Sequence, residues 1–104
     1  MSIFSEQEKL IDTYDEYTLF LKIQELTMVR NINMYNTRND EKKFNNDDLN
    51  SYISKCIMAT CKFGVIFLED GSSRNYVEWY DKWNKYALSR NEGFCLKYRN
   101  RFTN

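Results

Sequence analysis

The chain has 104 residues, 42% apolar and 29% charged, with 15 basic and 15 acidic side chains and a formal net charge of zero. That length holds one domain, residues 1–104, and folding it buries roughly 60–70% of the unfolded surface, so a core forms without staples. A mean hydropathy of −0.71, with no apolar run near the roughly 18–20 residues of a membrane helix, excludes a helical membrane protein; the balanced charge excludes a globally basic nucleic-acid binder and a globally acidic nucleic-acid mimic.

In chain order, Met1–Glu8 has neither a basic region nor an apolar core, so no secretion signal is read there. A first helix is expected from Ser5, where Ser5-x-x-Glu8 has the form of a capping box with Phe4 as its staple. Its stripe Leu10, Tyr14, Tyr17, Leu21, Met28, Ile32, Tyr35 holds near-helical spacing and is expected to face the core. Leu19, Phe20, Ile23, Leu26 and Met34 form a second apolar face. Either this helix is central, or Leu19, Ile23, Leu26 and Met34 bind a protein partner or a second copy. A break with a strand near Thr18 is the lesser alternative.

Asn36–Asn46 is polar and reads as the linker. A second helix starts near Asn46 or Asp47, either of which can cap it. Its stripe runs Leu49, Tyr52, Ile53, Cys56, Thr60, Phe63, Phe67, and Val65, Ile66 and Leu68 add apolar residues on its other faces. That end is expected to be the most buried part, with Gly64 marking close packing or the true helix end. Glu69–Ser73 is a turn, and Ser73 caps a third helix from about Arg74 to Asn91, ended by Gly93. Tyr76, Trp79, Tyr80, Trp83, Tyr86 and Ala87 share one side of it; core is the plainer role, binding anchors the other. Phe94–Asn104 forms a short fourth helical element. The fold expected is thus all-α, an irregular antiparallel bundle of three main helices and a short C-terminal element. The alternative is α+β, with a hairpin around Asp70-Gly71.

No set of residues spells out catalysis. The chain has no His and no Pro, three Gly and three Cys. Without His, a Cys nucleophile lacks its usual base and a metal site its commonest ligand. Cys56 and Cys61 read as core filler in a reducing compartment, not as a redox or zinc pair. Asp12 and Glu16 read as a solvated acidic face, since ferritin-like metal sites also use His. There is no Gly-rich phosphate loop, and Glu69-Asp70-Gly71 lacks calcium-loop spacing. No cofactor and no enzyme activity are expected.

Charge is unevenly placed. Residues 1–29 hold two Lys and six acids, net −4, and residues 71–104 hold seven bases and three acids, net +4. Basic and aromatic side chains alternate at the C-terminus, so Arg90, Lys97, Tyr98, Arg99 and Arg101 form a candidate surface for RNA or single-stranded DNA. The plainer reading packs Phe94, Tyr98 and Phe102 inward and leaves the bases solvated. Arg90 lies on the face of Trp83 and Tyr86, where it can cap a ring. The Asn-, Lys- and Tyr-rich, Pro-free composition is that of an A+T-rich genome, as in phages and mobile elements. The function expected is non-enzymatic protein binding in the cytoplasm. In that setting it is an inhibitor occluding a larger host defence or transcription component. Direct nucleic-acid binding is the alternative, and a helical immunity-type bundle fits the size alone.

Overall fold

The computed structural model describes residues 4–37 and 46–93. Helix α1 spans Ser5–Glu8, a 3-10 turn spans Ile11–Thr13, and α2 spans Glu16–Thr37. Helix α3 covers Asn46–Ala59 and runs into a second 3-10 turn, Thr60–Phe63; α4 covers Tyr76–Ser89. No strand occurs among the described residues, and the fold is all-α, an irregular bundle built on α2, α3 and α4. The linker core, 38–45, and the expected C-terminal element, Phe94–Asn104, lie outside the described residues.

The expected first helix is broken in two. Ser5 does not cap; Phe4 occupies the N-cap position of α1 without a side-chain bond, and Glu8 pairs instead with Lys55 of α3 at 2.8 Å. Tyr14 is extended (φ −77°, ψ 138°), which ends the 3-10 turn. The break therefore falls before Thr18, and the stretch from Tyr17 is helix, not strand. Asp15 restarts the helix: its Oδ1 accepts the Thr18 N–H at 2.7 Å and its carbonyl accepts the Leu19 N–H at 2.9 Å, the bonds of an acidic N-cap. The bonds from Thr18 hold the Asp15 carboxyl below the usual range. The Phe4 ring stands 5.1 Å from that of Tyr52, so α1 lies on α3.

Of the two readings of the long helix, the central one holds, and the second apolar face is buried more deeply than the first stripe. Leu19, Phe20, Ile23 and Leu26 are between 0% and 6% exposed, whereas Leu10 is 50% exposed. Tyr14, Tyr17 and Leu21 are half-buried against the core's edge. Helix α2 is the central helix. Leu19, Ile23 and Leu26 share a core with Leu49, Tyr52, Ile53 and Cys56 of α3. The Phe20 ring meets Trp79 and Tyr80 of α4 at 6.1 and 4.9 Å. Leu19, Ile23 and Leu26 are therefore not a free surface of the folded chain. Of the four residues assigned to protein binding, only Met34 is exposed, at 51%.

Helix α3 begins at Asn46, as expected, and ends earlier than its stripe suggests. The α-helix itself ends at Ala59; Gly64 takes φ 94° and closes the 3-10 turn that follows. Beyond it Val65 is buried, but Ile66 and Leu68 are 46% and 42% exposed, contrary to the expected burial. The chain turns back through a single antiparallel bridge, Phe67 to Ser73, with Leu68 N–H donating to the Ser72 carbonyl at 2.8 Å. The alternative hairpin thus survives as one bridge, because the chain re-enters a helix at Tyr76.

Asn75 fixes that return: its Nδ2 donates to the Gly64 carbonyl and its Oδ1 accepts the Ile66 N–H, each at 2.9 Å. Ser73 Oγ accepts the Tyr76 N–H at 2.8 Å, which meets one otherwise orphaned donor of the first turn. At the other end of α4, Asn91, with φ 58°, takes the left-handed turn that ends the helix, two residues ahead of Gly93, whose φ is 102°. Glu92 N–H donates to the Ala87 carbonyl at 2.7 Å and Asn91 N–H to that of Leu88 at 3.0 Å, the two bonds of a Schellman motif. Gly93 is buried against α2, where a Cβ would stand 3.1 Å from Gln24 Oε1.

The aromatic side of α4 is mostly core. Trp79 and Ala87 are buried, and Tyr76, Tyr80 and Trp83 pack on the cluster. Tyr86 is 42% exposed.

Candidate protein-docking groove

Helices α2, α3 and α4 leave a groove of about 440 Å³ open to solvent, within the roughly 300–1,000 Å³ of ligand sites. Thr27 and Arg30 line it from α2, one turn apart on the same face. Ile57 lines it from α3, and Tyr76, Val77, Tyr80 and Asp81 from the first turns of α4. The bonds from Ser73 and Asn75 place those first turns. Val77 is 79% exposed, the most exposed large apolar side chain among the described residues.

The groove is lined by two charged side chains, Arg30 and Asp81. Asp81 is paired with Lys85 at 3.0 Å. Among the described residues Arg30 meets only a neutral group, donating from Nη1 to Asn50 Oδ1 at 3.3 Å. Its Nε is buried with no acceptor among the described residues. Burial pushes the Tyr76 phenol up to about 12, further from ionisation than an ordinary phenol. The walls are apolar and phenolic, and the free donors belong to arginine. Such a surface can bind and orient an anionic, partly apolar group.

The other sequence candidates are dispersed. Arg90 caps the Tyr86 ring at 5.4 Å, as expected, and its Nε donates to Glu92 at 2.7 Å. Lys97, Tyr98, Arg99 and Arg101 lie outside the described residues, as does Cys95. Cys56 is core filler, with its thiol pushed up to about 12 by burial, but Cys61 is exposed. Asp12 and Glu16 are separated by the break and share no helix face. Glu16 Oε1 accepts the indole N–H of both Trp79 and Trp83, at 2.9 and 3.0 Å. No cluster of three His, Cys, Asp or Glu suited to a metal occurs among the described residues, nor does a helix long and apolar enough to cross a membrane.

Sequence reasoning missed Arg30 and Val77. The one signal was Val77 itself, an aliphatic off the aromatic stripe between Tyr76 and Glu78. No family model, curated protein or solved structure matches the chain.

Proposed function

We propose that this chain is a non-enzymatic protein-binding module that seats part of a larger partner in the groove between α2, α3 and α4. The observation that supports it is Val77, held almost fully in water beside apolar walls. Isolated exposed apolar residues are ordinary, but one at the rim of an apolar groove is the composition of a docking site. The proposal extends to inhibition by occlusion. The phage-like composition suggests a host nucleic-acid-processing machine as the partner, met in the host cytoplasm.

Capture from host lysate tests it, with and without nuclease, using wild type and Val77→Lys. The expected result is a nuclease-resistant partner held by wild type and lost by the variant, with unchanged circular dichroism. Capture that vanishes with nuclease would favour direct nucleic-acid binding. Capture indifferent to Val77→Lys would remove the groove from the reading.

A further inference from the structure

The charge of Arg30 bears on what the groove takes. A cation at an apolar wall gains most from a carboxylate, whose charge-assisted bonds are about twice as strong as neutral ones. Within the groove the one acidic side chain, Asp81, pairs with Lys85, and Arg30 has no ion pair among the described residues. Building on the docking reading above, we infer that the groove selects an acidic segment of a partner protein, one that places a carboxylate on Arg30 and a bulky apolar side chain against Val77 and Tyr80. Arginine suits this role, since its planar fork matches a carboxylate with two parallel donors.

The separation of the two contacts supports this pairing. Arg30 lies on α2, while Val77 and Tyr80 lie one turn apart on α4 across the groove. An occupant must bridge both helices, so acidic and apolar groups are needed together. A basic segment would meet Arg30 as a like charge, and a wholly apolar one would cover its guanidinium without supplying an acceptor.

The test is selection of random dodecapeptides on the full-length protein, then fluorescence anisotropy of the enriched peptides with wild type, Arg30→Gln and Val77→Lys. Circular dichroism checks that both variants fold. Enriched peptides are expected to carry Asp or Glu within one helical turn of Phe, Leu, Met or Trp. Arg30→Gln should weaken them about tenfold, the factor that corresponds to 1.4 kcal/mol, and should erase the preference for acid. Added salt should weaken wild type more than Arg30→Gln. Neutral or basic winners would overturn the inference. So would binding that survives Arg30→Gln yet is lost in Val77→Lys, which leaves the docking groove standing. An empty selection, or peptides unaffected by Val77→Lys, would overturn both.

Discussion

Glu16 shows how one side chain can join two helices. Both indole N–H groups of α4 point to its Oε1, and the Lys82 ammonium stands 3.8 Å away. Glu16→Ala removes the acceptor from two partly buried donors, and the expected loss of stability is about 1–3 kcal/mol. Glu16→Gln keeps a carbonyl there and should lose less; urea titration followed by tryptophan fluorescence separates the two variants. The thiols give a second residue-scale expectation. In a Cys95→Ser background, exposed Cys61 should react at once with a thiol reagent, and buried Cys56 only as the protein unfolds. Cys56 and Tyr76 each rise to about 12 in the folded chain, from ordinary values of 9.0 and 10.0. The unfolded chain therefore loses these protons first. The associated stability is complete below about pH 9 and declines as pH rises toward 12. Melting temperatures measured across that window should fall steadily; a flat profile would contradict the burial of both groups.

At the scale of elements, the joints carry more information than the helices. Gly64 and Gly93 both have positive φ, but nothing lies within 4 Å of a Cβ built on Gly64, whereas one on Gly93 meets Gln24 at 3.1 Å. Gly64→Ala should cost about 1–2 kcal/mol, the strain of a left-handed Cβ. Gly93→Ala should cost more, because it also pushes on a buried side chain that donates to Asn84 at 3.0 Å. Parallel thermal melts test the order. The start of α3 near Asn46 and the role of Gly64 after the 3-10 turn were legible in part from local signals; Ser73 accepts the Tyr76 N–H as expected of a short polar side chain, but the N-cap position itself falls to Asn75. The break before α2 was not legible. Leu10, Tyr14 and Tyr17 keep helical spacing straight through it, and Asp15 is one acid among several until its bond to Thr18 is seen. Asn91 was hidden for a related reason, since Gly93 two residues on is the stronger signal for a left-handed turn.

For the whole molecule, the informative experiment is a charge pair placed in the central helix. Leu19→Glu with Ile23→Lys puts two charges where the native side chains are 0% and 1% exposed. The double variant should unfold a domain whose total stability is about 5–15 kcal/mol, seen as loss of the helical circular-dichroism signal. Val77→Lys should leave that signal intact. The all-α class was legible from helical periodicity and scarce turn residues. The direction α2 faces was not: a helix apolar on two sides carries no local mark of which side is core, and packing against both α3 and α4 decides it. The groove was illegible for the same reason, since Arg30, Ile57 and Val77 meet only after three helices assemble. The Asn75 bonds to Gly64 and Ile66 have a practical consequence. They clamp the base of the excursion from Val65 to Arg74, while its tip at Glu69–Gly71 is exposed. A fluorophore, an affinity tag or a whole inserted reporter domain can be spliced at that tip, giving a handle on the protein that leaves both chain ends and the groove untouched.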